Sequence, residues 1–240
     1  LNEILKLIVK KGWFFNVTPG SKFITIGGAI ASDVHGKNHH LDGSFCDYIF
    51  SFKIITSQGI LYNCSKEENL ELFQASCGGM GLTGIIVSAK IKLLKIKSKI
   101  INTEIIKTKN LEQTIKSFKK LNANKYIVAW IDALAKNEHM GRSVIFIGNH
   151  SDEGDLNFFE KIKFSIPKMF PGFLLNKYVI TAFNKFYYFI HKNNKKIKQS
   201  LNNFFYPLDS IGSWNNLYGK EGFIQIQILI TEKNFEEVIC

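Results

Sequence analysis

Between Asp33 and His40 the chain carries one aspartate, one lysine and three histidines within eight residues: Asp33, His35, Lys37, His39 and His40. An imidazole with an unperturbed pKa of about 6.5 can take or relay a proton near neutral pH, and an ammonium beside it can hold a phosphate or a hydroxyl. The cluster therefore suits proton removal from a bound hydroxyl. A single histidine in a loop is ordinarily structural, so the clustering carries the reading, together with the glycines around it, Gly27, Gly28 and Gly36. Small residues dominate the run from Gly27 to Ser32, which lets backbone lie flat against a large planar ligand. Metal binding is the competing chemistry, but these histidines lack the i, i+4 helical spacing of HExxH and no metal site is expected.

Two further constellations could contact a ligand. Gly79-Met80-Gly81-Leu82-Thr83-Gly84 matches GxGxxG in letter, yet a helix is expected before it and a strand after it, the reverse of a Rossmann turn. It reads either as a tight turn or as glycines that bring backbone amides close to a cofactor. In Phe223–Ile230 a period of two puts Ile224, Ile226, Ile228 and Ile230 on one face and Gln225 and Gln227 on the other. The isoleucine face must be core, whereas two adjacent amides suit sugar hydroxyls or simply face water. Trp130 follows the pattern of a core aromatic, and Asp209 in Tyr206-Pro207-Leu208-Asp209 is expected to anchor its loop by local hydrogen bonds.

These groups need elements to position them. Apolar residues at 1, 4, 5, 8 and 9 predict a short helix stopped by Gly12. Phe23–Ile26 looks like a short strand. Phe52–Thr56 and Ile60–Asn63 predict a hairpin around Ser57-Gln58-Gly59. Ser65–Glu68 has capping-box spacing and is expected to open a helix running through Ala75, followed by the glycine turn and a strand from Ile85 to about Leu94. Lysine-rich 95–109 changes character, which places a domain boundary near residue 98, between domains 1–98 and 99–240. Beyond it a helix at about 110–122 and strands at 126–132, 143–148 and 223–230 are expected. The aromatic stretch 164–191 reads either as core under a loop or as an amphipathic flap at a membrane surface.

Composition narrows the class. The 240 residues are 45% hydrophobic and 13% aromatic, enough for a substantial core. The charge is +11, from 31 Lys+Arg against 20 Asp+Glu, and Arg142 is the single arginine. Scattered lysines fit a solvated surface, or an anionic membrane, better than a nucleic-acid reader that would use arginine forks. Cys46, Cys64, Cys77 and Cys240 form no CxxC pair and no disulfide framework, so a reducing, cytoplasmic setting is expected, with contact to a membrane periphery as an option. No apolar run approaches a membrane span. The chain starts at Leu1 and stops within Asn234–Cys240, which resembles a helix beginning; both ends are expected to be truncated.

In order along the chain, Thr18-Pro19-Gly20, Thr25 through His40, Gly43-Ser44-Phe45, Glu71-Leu72-Phe73, Gly78 through Ile86, Ala129–Ala133, Gly141-Arg142, Asn176-Lys177-Tyr178, Tyr206–Asp209, Trp214-Asn215 and Gly222–Gln227 resemble the decaprenylphosphoryl-β-D-ribose 2′-oxidase family of vanillyl-alcohol-oxidase-like flavoproteins. His35-Gly36-Lys37-Asn38-His39-His40 and the paired glutamines are the most specific parts. The resemblance implies an α+β fold: the second part of a PCMH-type FAD-binding domain, then a substrate domain with an antiparallel sheet and covering helices. It implies non-covalent FAD lined by Gly20, Thr25, Ile26, Gly27, Gly28, Ser32, Asp33, Val34, His35 and Ile86. It further implies catalytic roles for His35 and Lys37, and substrate contacts from Lys37, Trp130, Asp209, Gln225 and Gln227. The implied reaction oxidises the C2′ hydroxyl of a lipid-linked ribose, a short-chain keto-reductase completing epimerisation to arabinose. Phe205-Tyr206 departs from the family's Tyr-His pair. An aldonolactone or alditol oxidase of the same superfamily is the nearest alternative, and a non-enzymatic basic membrane-binding protein the more distant one.

Overall fold

The computed structural model describes residues 1–158, 164–168, 171, 175–219 and 222–224. Helix α1 (Asn2–Ile8) continues as a 3-10 turn to Lys11 and ends at Gly12, whose φ is 79°. It buries Leu5 and Val9 beside strand β1 (Trp13–Phe15). A loop then leads to α2 (Ile26–Ala31) and the single turn α3 (His39–Asp42). Phe23–Ile26 is not a strand. The Thr25 hydroxyl instead accepts from the Gly28 N–H at 2.9 Å, and this N-cap starts a helix through the glycines.

The expected hairpin forms from β2 (Ile49–Ile55) and β3 (Leu61–Ser65), with Gly59 at φ 75° in the turn. Ser65 does not cap a helix. Its hydroxyl accepts from the Glu67 and Glu68 amides in a local turn, and α4 (Leu70–Ser76) begins later, after Asn69 in a left-handed conformation. Strand β4 (Ile85–Ile91) pairs with the other side of β2, and β5 (Leu93–Lys95) pairs with β1, so the run expected up to Leu94 is divided at Lys92. The Lys92 carbonyl turns to accept from the Asn16 side chain.

The lysine-rich stretch conceals a central strand, β6 (Ile100–Thr108). With α5 (Leu111–Leu121), β7 (Tyr126–Ile131), β8 (Ser143–His150) and β10 (Lys195–Ser200) it builds an antiparallel sheet in the order β10-β6-β8-β7. Asn110 caps α5, which lays Phe118 and Leu121 on Ile127, Ile145 and Ile147. A short parallel pair, β9 (Phe164–Ser165) with β11 (Ile211–Gly212), and helices α6 (Lys177–Ile190) and α7 (Leu201–Phe205) complete the described elements. The architecture is α+β, and among the described residues every named strand pair except β9–β11 is antiparallel. The strand expected at 223–230 lies largely outside the described residues.

One apolar cluster joins both halves of the chain: Phe14 and Phe15 of β1, Phe45, Phe52 and Ile54 meet Ile101, Tyr126, Leu201, Phe204 and Phe205. His150 sits among these rings, 5.8 Å from Phe14 and 5.5 Å from Tyr126 between centroids. Burial pushes the Tyr126 phenol up, so it keeps its proton, and its hydroxyl shares a hydrogen bond of 3.1 Å with His150 Nε2. Burial, aided by the Lys125 charge, pushes His150 down to about 4. An imidazole that is neutral when folded and cationic when unfolded contributes stability that is full above pH about 6.5 and is lost as pH falls from there towards 4. Urea unfolding at pH 7 and pH 4 is expected to show the wild type losing on the order of 3 kcal/mol more than His150→Gln over that interval. Equal losses in the two proteins would assign the acid sensitivity to other groups.

Candidate active site

A groove of about 410 Å³ opens between α2 and the glycine turn, lined by Thr25, Gly27, Gly28, Ala31 and Ser32 on one side and by Ser76, Met80, Gly81, Thr83, Gly84, Ile85 and Ile86 on the other. That volume lies within the range of small-molecule sites, roughly 300–1,000 Å³. Its walls are held by backbone: Gly78 N–H donates to the Ile30 carbonyl at 3.0 Å and Met80 N–H to the Ala31 carbonyl at 2.7 Å, which fastens the turn to the end of α2. The Ser76 and Thr83 hydroxyls bond each other at 2.8 Å. The turn is thus neither a Rossmann loop nor merely a connection; it is one wall of a cleft.

Thr25, Gly27, Gly28, Ser32 and Ile86, singled out in the sequence, all line this groove. Ile26 lies in the first turn of α2, and Gly20 stands with open space around its Cα. Asp33 faces inward: its carboxylate accepts from the Ser44 hydroxyl at 2.8 Å and from the Cys46 amide at 2.9 Å, which fixes the corner after α2. Val34 exchanges backbone bonds with Ala29 and Phe45. His35 is exposed, pairs through backbone with Ser44 and packs edge-on to His39, centroids 5.8 Å apart.

The next residues leave the groove and reach the second sheet. Gly36 has no room for a side chain, since a Cβ would stand 2.9 Å from the Thr18 carbonyl oxygen and 2.7 Å from Asn38 Oδ1. The Lys37 carbonyl accepts from the Ile127 N–H of β7 at 2.9 Å, and Lys37 Nζ approaches the Phe205 carbonyl at 3.4 Å. Desolvation pushes this ammonium down to about 8, so it is still mostly cationic at neutral pH. His40 Nε2 bonds the Asn124 carbonyl at 3.0 Å. Trp130, on the same strand as Ile127, packs against Tyr187 of α6 with the rings tilted and their centroids 4.7 Å apart. Gln225 and Gln227 lie outside the described residues.

Asp209 is buried, and its anchoring is long-range where local bonds were expected. Oδ1 accepts from the Ser21 hydroxyl at 2.9 Å and Oδ2 from the Lys22 amide at 2.8 Å. Beside it the Thr18 and Tyr206 hydroxyls bond at 2.6 Å, and the buried Lys22 ammonium donates to Asn202. Sequence reasoning missed Lys22, Tyr187 and the Asp132–Arg142–Asn184 group, because their partners lie 10 to 187 positions away. A lysine set among aromatic residues was the available signal for the first.

Residues 1–65 match the family described as an FAD binding domain. This part of the chain is FAD-binding-domain sequence. Over 249 aligned residues the chain is 31% identical to the decaprenylphosphoryl-β-D-ribose oxidase of Mycolicibacterium smegmatis, covering 99% of this chain and 54% of that protein. It is 30% identical over 152 residues to an uncharacterised protein of Streptomyces coelicolor, covering 63% of this chain and 41% of that one. It is also 26% identical over 97 residues to the human Δ(24)-sterol reductase, covering 40% and 19% respectively. The chain spans about half the length of the mycobacterial oxidase. FAD is the cofactor of the matched domain, and the groove fits such a group: its walls present backbone and short side chains, while Met80 and Ile85 leave apolar surface exposed along it. Gly27, Gly28, Ser32 and Thr83 would hold it there.

A Cβ on Gly27 would meet only Ile86 at ordinary contact distance, so the fold accommodates a side chain that the groove does not. Gly27→Leu is expected to melt within a few degrees of the wild type yet bind FAD at least about tenfold more weakly, equivalent to ~1.4 kcal/mol. Calorimetry and flavin absorbance of the purified variant report the two quantities separately. Undiminished flavin content would move the cofactor elsewhere.

Proposed function

We propose that the protein to which this chain belongs is an FAD-dependent oxidoreductase that oxidises a sugar secondary alcohol. The substrate we assign is a polyprenylphosphoryl ribose, whose C2′ hydroxyl becomes a ketone on the way to an arabinose donor. A short-chain keto-reductase would consume that product. The observation that carries the reading is the likeness to the mycobacterial oxidase along 99% of the chain, taken with a loop whose His35 end adjoins the groove segment and whose Lys37 is bonded to the second sheet. In this reading residues 1–98 and 99–240 act as cofactor and substrate parts, and the flavin is non-covalent because no residue stands out as an attachment point.

FAD, when bound, supplies the acceptor for the hydride that leaves the carbinol carbon. The chain must then accept the hydroxyl proton, and His35 is the group of suitable chemistry on the exposed side of the loop. Lys37 holds a hydroxyl or the substrate phosphate by charge. Its backbone bond to Ile127 fixes where its side chain begins. Trp130 offers an apolar wall to a sugar ring, and Gln225 and Gln227 supply amide donors and acceptors for its hydroxyls. Asp209 serves the site indirectly, by holding Ser21 and Lys22.

Acid precipitation of the full-length protein is expected to release its flavin into the supernatant; yellow colour retained in the pellet would establish a covalent link. His35→Ala is expected to keep bound FAD and to slow its reduction by polyprenylphosphoryl ribose by ~10²–10⁴-fold in stopped-flow absorbance, as for loss of a general base. A near-normal reduction rate in a flavin-loaded variant would remove His35 from proton transfer. Reduction by an aldonolactone or a free alditol in place of the lipid-linked sugar would overturn the substrate assignment while leaving the cofactor in place.

A further inference from the structure

Helix α6 is held from one side only by the described residues. On its inner face Asn184 donates to Asp132 at 2.7 Å, Asp132 pairs with Arg142 at 2.6 Å, Tyr187 packs against Trp130, and the Tyr188 hydroxyl donates to the Thr108 carbonyl at 3.1 Å. The outer face is aromatic and open: Tyr178 is 86% exposed, Phe183 53%, Phe186 63% and Phe189 83%, with Val179 and Ile190 between them. At about 100° per residue these six positions fall in one arc of roughly 140°, a continuous stripe along the helix. Monomeric proteins seldom leave an apolar stripe of this kind in water.

The charges around the stripe indicate what covers it. Lys185 stands at its border, and Lys136, His139 and Lys177 line the groove beside the first half of the helix. Lys107, Lys109 and Lys192 line the groove at its other end. From residue 161 to residue 208 the sequence has nine lysines and neither aspartate nor glutamate. Of the nearby acids, Asp132 is paired with Arg142, and Glu138 lies 3.5 Å from His139. A second copy of the chain would bring the same lysines against these, and like charges across an interface oppose docking. An apolar protein partner would not require the cations.

We propose that the outer face of α6 docks on an anionic lipid surface. Its 14 residues span about 21 Å, less than a bilayer core of about 30 Å, so the helix lies in the interfacial plane. In that position Phe186 and Phe189 enter the boundary between headgroups and acyl chains. Tyr178 sits at headgroup level, where amphipathic rings collect. Lys177 and Lys185 keep their ammonium groups among the lipid phosphates while their stems cover apolar surface. The inner face still bears on Trp130, so docking would bring the second sheet to the membrane. The inference is independent of the flavin reading, which is tested by colour and reduction.

Flotation of the full-length protein with vesicles of equimolar phosphatidylcholine and phosphatidylglycerol, and with phosphatidylcholine alone, tests it. The protein is expected to float with the anionic vesicles and to be released by salt. Phe186→Ser with Phe189→Ser should abolish flotation without lowering the melting temperature, because both side chains project into water. Lys177→Gln with Lys185→Gln should weaken binding about fivefold per lysine at low salt. A Phe189→Trp reporter should shift its emission to the blue on vesicle addition. Failure to float with anionic vesicles, or equal flotation of the double serine variant, would overturn the proposal. So would a dimer in sedimentation that the serine substitutions dissolve while vesicle binding is absent, which would assign the face to a second copy.

Discussion

The arrangement depends on a set of hydrogen bonds between the loop 18–22 and the segment 202–209. Thr18 meets Tyr206, Ser21 and the Lys22 amide share the carboxylate of Asp209, and the Lys22 ammonium reaches Asn202. Most of these groups are buried, and a buried polar group without a partner costs about 1–3 kcal/mol, so each side of the seam requires the other. The aromatic cluster of Phe14, Tyr126, His150 and Phe205 provides bulk cohesion at the same boundary. Hydrophobic contact alone is tolerant of small slips. The carboxylate of Asp209, with one oxygen for each donor, is not, and it sets where the loop leading to Thr25 and α2 begins.

From that seam the candidate site follows in a few steps. Thr25 caps α2, α2 presents Gly27 and Gly28 to the groove, and its final carbonyls hold the glycine turn opposite. Asp33 then turns the chain by binding Ser44 and Cys46, and the histidine loop emerges with its backbone bonded to β7 at Ile127. Cofactor-type and substrate-type residues are therefore connected within about a dozen positions of one segment. Gly36 is where that segment passes close over Thr18, and it has no space for a larger residue.

Against the second sheet, α6 is positioned largely by polar contacts. Asn184 is its one fully buried side chain, bonded to an aspartate already paired with arginine. Such a group fixes rotation about the helix axis, because hydrogen bonds to a buried carboxylate are directional while packing of rings is less so. The result is an orientation in which Tyr187 and Tyr188 meet the sheet while Phe183, Phe186 and Phe189 stay exposed.

Local signals were legible directly. The stop at Gly12, the hairpin about Gly59, the Asn110-capped helix and the strands β7 and β8 arise from neighbours a few residues apart. Elsewhere contacts formed on folding decided the outcome. Within lysine-rich 95–109 lies β6, central in its sheet because its alternate residues Ile101, Thr103 and Ile105 are buried between β10 and β8. Thr25 suggested a strand until its hydroxyl found the Gly28 amide, and Asp209 suggested a local anchor until the fold brought Ser21 and Lys22 to it. Sequence by itself determined which residues could bind, cap or bend. Tertiary structure decided which of them engage one another, because the donors that meet a carboxylate such as Asp33 or Asp209 come from other segments and reach it only in the folded chain.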